Sequence, residues 1–199
     1  MLAERKEGDR QYMAHSQTAM ERQCSPCGAR SLKNAYREDV FMEAFLLKGI
    51  RELAVRNVSV APLGPKDVKI CVKRGLFCGT DHSMFTDAII PPGNFPFFIG
   101  HEIAGVVEEV GAGVKDLAPG QTVVSNPVGY FHEYYKCRIG QEHFGERLIE
   151  NYHPTGGFSA YIVVHQGQVH TIPAGLSLDQ AAFAEPVSVC IHGIEGGYV

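Results

Sequence analysis

The chain has 199 residues, 45% of them apolar and 20% charged, with a formal net charge of −4. That is room for one good-sized globular domain with or without tails, and the acidic balance argues against nucleic acid or an anionic membrane surface as the main partner. No apolar run approaches the roughly 20 residues of a membrane-spanning helix, and the charged start Met1-Leu2-Ala3-Glu4-Arg5-Lys6-Glu7 lacks the apolar core of a signal peptide. Residues 1–41 mix charges of both signs with Gln, Ser and Ala and show little sustained periodicity, so they read as a disordered or loosely helical extension. Within them Cys24-Ser25-Pro26-Cys27 has the spacing of a zinc knuckle or redox pair, but no second pair follows nearby and it reads as incidental. The six cysteines are scattered, which suggests reduced thiols or metal ligands and a cytoplasmic setting by default.

From Met42 onward the pattern is rich in short strands. Glu43-Ala44-Phe45-Leu46-Leu47 is an apolar run ending at Gly49, and Leu53, Val55, Val58 and Val60 lie in a second extended segment bounded by Pro62-Leu63-Gly64-Pro65. Val68, Ile70 and Val72 alternate with Lys69, Cys71 and Lys73, the period-2 signature of a half-buried strand. Val106-Val107-Glu108-Glu109-Val110, Thr122-Val123-Val124, Phe158 through Val164, and Gln168 through Ile172 read as further strands. Turn signals every ten or so residues make this a mainly β fold of barrel or sandwich type. The end turns helical: Ser177 and Gln180 have the form of a capping box, and Pro186 suits the first turn of a helix from Val187 to Ile194.

One stretch stands apart. Gly100-His101-Glu102 sets an imidazole and a carboxylate side by side next to a glycine, and Cys78-Gly79-Thr80-Asp81 upstream supplies a thiolate. Thiolate, imidazole and carboxylate form a borderline-soft set that suits Zn²⁺ better than Mg²⁺ or Ca²⁺. Taken singly, Cys78 is as well explained as a small buried residue, Asp81 as a helix cap, His101 as a core histidine and Glu185 as a charge at a helix start.

Read together, Cys78-Gly79-Thr80-Asp81, Gly100-His101-Glu102 with Gly105, Gly111 and Val114, the segment Asp116 to Val124, Gly156-Gly157-Phe158-Ser159-Ala160-Tyr161, and Ala184-Glu185-Pro186 resemble the zinc-containing medium-chain alcohol and polyol dehydrogenases. The resemblance covers residues 42–194 and implies their catalytic domain, a GroES-like, partly open β-barrel with C-terminal helices. It implies one catalytic zinc held by Cys78 and His101 with Glu102 or Glu185, either of which binds the metal or stands just behind it. It also implies a proton path through Thr80 and an Asp81 that fixes the His101 tautomer. The substrate would be a small alcohol or polyol, its hydride passing to NAD(P).

The departures from the pattern carry equal weight. A second, structural zinc held by four cysteines occurs in many relatives; the matching positions here are Phe131, Tyr134, Cys137 and Gly145, so no structural zinc is expected. The relay position five residues after Cys78 is Ser83, preceded by His82. No Gly-x-Gly-x-x-Gly fingerprint is found: Gly111-Ala112-Gly113 lacks the third glycine and leads to Pro119 with no helix. The Rossmann domain is therefore expected to be absent. That leaves three readings: the catalytic half of a dehydrogenase, a non-catalytic zinc module completed by a nucleotide-binding partner chain, or a member of the zinc-free quinone-reductase branch. Cys78, His101 and Glu185 together weigh against the third. A helix left without its usual neighbour would expose Val187, Val189 and Ile191 and favour self-association.

Overall fold

The computed structural model describes residues 41–86, 95–128, 138–139 and 156–196. The extension before β1 and the positions aligned with a structural zinc site lie outside the described residues.

Strands β1 (Phe41–Gly49) and β2 (Glu52–Ser59) form an antiparallel hairpin, turned at Ile50-Arg51, and the two-residue strand β4 (Phe97–Phe98) pairs with the other edge of β1. The second sheet has five strands in the order β7-β3-β5-β6-β8. They are β3 (Asp67–Leu76), β5 (Glu102–Val110), β6 (Thr122–Ser125), β7 (Tyr161–His165) and β8 (Val169–Thr171), every neighbouring pair antiparallel. A bridge between Ala44 and Ser159 ties the two sheets together. Three α-helices, α1 (Gly79–Thr86), α2 (Leu178–Ala181) and α3 (Ala184–Gly196), and a 3₁₀ turn at Gln166–Gln168 complete the described fold.

The main core lies among the strands of the larger sheet. Val68, Ile70, Val72, Ile103, Val107, Val123 and Ile162 are all almost fully enclosed there. Burying side chains of this size contributes about 1.5–3 kcal/mol each, so this cluster is the dominant stabilising element. A second cluster, Leu47, Met84 and Ile99 with Phe45 and Phe158 against it, packs α1 against the smaller sheet. A third, Ala104, Ala181 and Ala182 with Leu76 and Leu178, seats α2 against β5; its small residues let the helix come close to the sheet.

The mainly β architecture and C-terminal helices agree with the sequence pattern, and several details differ. β1 opens at Phe41, one residue inside the stretch read as an extension. β3 is not half-buried: Val68, Lys69, Ile70, Cys71 and Val72 are all enclosed, because the strand is central and both of its faces are covered. Lys69 is tolerated there with its ammonium 4.7 Å from the centroid of the Tyr161 ring, a cation–π contact. Cys71 carries a disulfide, a correction to the expectation of reduced thiols, whereas Cys78 and Cys190 are free. β5 begins at Glu102, earlier than the valine run suggests, and β7 begins only at Tyr161. Helix α1 has no signal in the periodicity. The capping box is present as expected: Ser177 accepts from the Gln180 N–H, and the Gln180 side chain accepts from the Ser177 N–H.

Candidate metal centre

The register of β3 against β5 explains why Cys78 and His101 meet. Leu76 faces Glu102 at the last paired position, so continuing both chains outward carries Cys78 and His101 off the same end of the ladder. Gly100 sets the turn there with φ +93, and a Cβ on it would stand 2.7 Å from the Phe158 nitrogen and 2.8 Å from its ring. Only glycine satisfies both demands. Gly105 permits a second close approach, since a Cβ there would lie 2.3 Å from the Cys71 carbonyl oxygen on the neighbouring strand.

The ligand atoms of Cys78, His101 and Glu102 all lie within 4.8 Å of one another. His101 and Glu102 are buried and Cys78 is half-buried. A tetrahedral zinc with bonds of about 2.0–2.3 Å needs its ligand atoms roughly 3.3–3.8 Å apart. Small side-chain adjustments suffice to reach that from 4.8 Å, and the residues present fit a Cys-His-Glu zinc site with one position left over.

Asp81 is the hub beneath these three. It is 1% exposed, and its two oxygens are divided between the two ligand-bearing segments. Oδ2 accepts from the Cys78 N–H at 3.1 Å and Oδ1 accepts from the Gly100 N–H at 3.1 Å. Oδ1 also faces His101 Nδ1 at 3.7 Å, a charge contact longer than a hydrogen bond. Asp81 thus lies beside His101, and from the third position of α1 it reaches back to the N–H of Cys78, which occupies the cap position. Cys78 completes the arrangement, its Sγ accepting from the Thr80 N–H at 3.4 Å, at the positive end of the α1 dipole.

Three carboxylates crowd the His101 imidazole. Burial opposes protonation of His101, but Asp81, Glu185 and Glu102 outweigh it and raise its pKa above 6.5. Burial likewise pushes the Glu185 carboxyl up; His101 offsets this in part, and the charge and hydrogen bond of Glu102 push it further. Crowded carboxylates beside an imidazole hold protons that a dication would displace. Glu185, in the first turn of α3, thus reaches Glu102 and His101, which places it beside the three-residue cluster and next to Glu102. Of the residues singled out from the sequence, Cys78, His101, Glu102, Asp81, Thr80 and Glu185 are all brought together. His82 is exposed and Ser83 half-buried on the following turn of α1.

Comparison with known proteins places the fold in a family. Residues 64–174 match the family model described as the alcohol dehydrogenase GroES-like domain. L-Idonate 5-dehydrogenase of Vitis vinifera is 38% identical over 157 residues, covering 76% of this chain and 42% of that enzyme. Sorbitol dehydrogenase of Arabidopsis thaliana is 33% identical over 162 residues, 78% of this chain and 43% of its own length. Among solved structures, the alcohol dehydrogenase rspB of Escherichia coli CFT073, complexed with NADH, superposes with a TM-score of 0.65 at 27% identity, covering 75% of this chain and 43% of that one. The chain thus spans about two fifths of the length of these curated relatives.

Proposed function

Because this chain belongs to the zinc-containing medium-chain alcohol and polyol dehydrogenase family, with its GroES-like domain over residues 64–174, we propose that it is the zinc-binding catalytic half of an oxidoreductase acting on the CH–OH group of a small alcohol or polyol. The observation that carries this reading is the convergence of Cys78, His101 and Glu102 within 4.8 Å. A zinc ion held by these residues would supply a Lewis acid that makes a substrate hydroxyl easier to deprotonate near neutral pH.

The chain's own residues do the remaining work. Asp81 faces Nδ1 of His101, which orients the ring and leaves Nε2 for the metal. Glu102 is the preferred carboxylate ligand, since it lies within the cluster; Glu185, whose carboxyl pKa is raised by burial and by Glu102, is assigned to stand behind it and to take a further position or hold a proton. The Thr80 hydroxyl, half-buried two residues past Cys78, is assigned the first step of a proton path to solvent. One catalytic zinc and no structural zinc is the stoichiometry this reading requires. NAD(P) would be bound by a nucleotide-binding region not among these 199 residues.

A second reading, a zinc module without turnover of its own, draws support from two observations. Gly111-Ala112-Gly113 is a turn, with the Gly113 N–H on the Pro65 carbonyl at 2.7 Å, and not a dinucleotide loop. On α3, Val187, Val189, Ile191 and Ile194 are each half or more exposed. Such a face suits self-association or cover by a nucleotide-binding partner chain.

The separating experiment supplies NAD⁺ with sorbitol or L-idonate to the zinc-loaded chain alone, and to the chain fused to the nucleotide-binding half of a sorbitol dehydrogenase. Polyol-dependent NADH formation only by the fusion, abolished by Cys78→Ser, is expected. No turnover by either would favour the non-catalytic module, and NADH from the chain alone would overturn the half-enzyme reading.

A further inference from the structure

Strand β3 leads to Cys78 at one end and starts just after Lys66 at the other, about 30 Å of extended chain away. At that far end lies a cleft of about 640 Å³, lined among others by Lys66, Asp116, His165, Gly167, His170 and Thr171. Its volume falls in the range of small-molecule sites. The cleft is built from three separate parts of the chain: the entry to β3, the loop after β5, and the turn between β7 and β8. The Gln166 N–H donates to the Lys66 carbonyl at 2.9 Å and holds two of these together.

The chemistry of the lining selects a ligand. His165 Nδ1 accepts from the Gly167 N–H at 3.1 Å, so the proton of the neutral ring sits on Nε2 and that nitrogen is a donor. A fixed donor suits an acceptor-bearing ligand and disfavours a metal ion, in keeping with Cys78, His101 and Glu102 being the metal-competent cluster among the described residues. Lys66, Asp116 and His170 are exposed, and among the described residues their side chains make no hydrogen bond or ion pair, so a ligand would compete only with water for them. Lys66 attracts an anion. Asp116 repels a bare one and is satisfied only by a ligand that also carries hydroxyl donors.

We propose that this cleft is a second small-molecule site, remote from the metal centre, that binds a hydroxylated organic anion. Its carboxylate or phosphate rests on Lys66 Nζ and the His165 Nε2–H, and its hydroxyls donate to Asp116. The proposal does not depend on the oxidoreductase reading, because it uses none of the same residues.

The test is an NMR titration of the zinc-loaded, isotope-labelled full chain with gluconate, with glycerol 3-phosphate, and with neutral sorbitol. Saturable shifts at the Gly167 amide and the His165 imidazole with gluconate, glycerol 3-phosphate or both are expected, and which of them acts tells carboxylate from phosphate. Loss of a hydrogen bond to a charged group should weaken binding by about tenfold or more in Lys66→Ala and His165→Ala. His165→Gln, whose amide can restore a donor, should recover part of it. The site would be overturned by an equal response to sorbitol, by shifts confined to the region of Cys78 and His101, by absence of saturation with both anions, or by undiminished binding in Lys66→Ala with its amide spectrum intact.

Discussion

Replacing Asp81 with Asn changes one atom in a residue that touches both ligand-bearing segments. The wild-type carboxylate accepts from Cys78 N–H and Gly100 N–H at 3.1 Å each and faces His101 at 3.7 Å. An amide keeps one acceptor but turns an NH₂ toward one of the two N–H donors, in a residue that is 1% exposed. One charge-assisted hydrogen bond is lost, about 1.5–3 kcal/mol of stability. His101 loses its nearest carboxylate at the same time. Loss of such a partner behind a metal-bound histidine typically costs about 10–100-fold in metal affinity, or roughly 1.4–2.7 kcal/mol. Zinc affinity from competition with a chromophoric chelator, alongside urea unfolding with and without zinc, measures the two effects separately. A merely structural role would leave the imidazole of metal-free His101 titrating as in the wild type, whereas loss of Asp81 should lower that pKa by NMR. Zinc affinity within about twofold of wild type in a folded Asp81→Asn chain would refute the idea that Asp81 organises the site.

Three further outcomes follow from the same geometry. Gly100→Ala places a side chain at φ +93 and against Phe158, so strain and overpacking together should cost roughly 2–4 kcal/mol in urea unfolding and loosen the zinc site with it. Ile162→Ala opens a hole in the main core, where Ile162 is 1% exposed, and should cost about 2–5 kcal/mol while leaving zinc stoichiometry intact. The pKa of His101 is raised above 6.5, so its contribution to the stability of the metal-free chain is fully present below pH 6.5 and is lost as pH rises through the higher folded-state value. Glu185, also raised, acts in the same direction from 4.5 upward. Zinc needs the deprotonated imidazole, so zinc affinity should instead rise with pH through that window, with proton release on binding, measurable by calorimetry in two buffers.

The chemistry of the site was more legible in the sequence than its architecture. Cys78, His101 and Glu102 announce themselves because a thiol, an imidazole and a carboxylate beside glycines have few bland explanations in combination. What brought them together, the Leu76–Glu102 register, is a long-range pairing that no local pattern encodes. Helix α1 escaped notice because it is short, starts with glycine and carries no apolar stripe; only Met84 and Asp81 on it are buried. The double burial of β3 was hidden because Lys69 and Cys71 read as an outward face, whereas the strand lies inside the sheet between β7 and β5, partners distant in the chain. The second cleft was invisible for the same reason, its lining being drawn from residues 66, 116 and 165–171. The helix cap at Ser177 and the placement of Pro186 were readable because both are local.

The most direct measurement is elemental analysis of the purified chain combined with zinc X-ray absorption. One zinc per chain with a single sulfur neighbour and otherwise nitrogen or oxygen neighbours is expected, the sulfur shell vanishing in Cys78→Ser. A sulfur shell that persists in that variant, or a metal bound without any sulfur in the parent chain, would contradict the Cys78-His101-Glu102 centre.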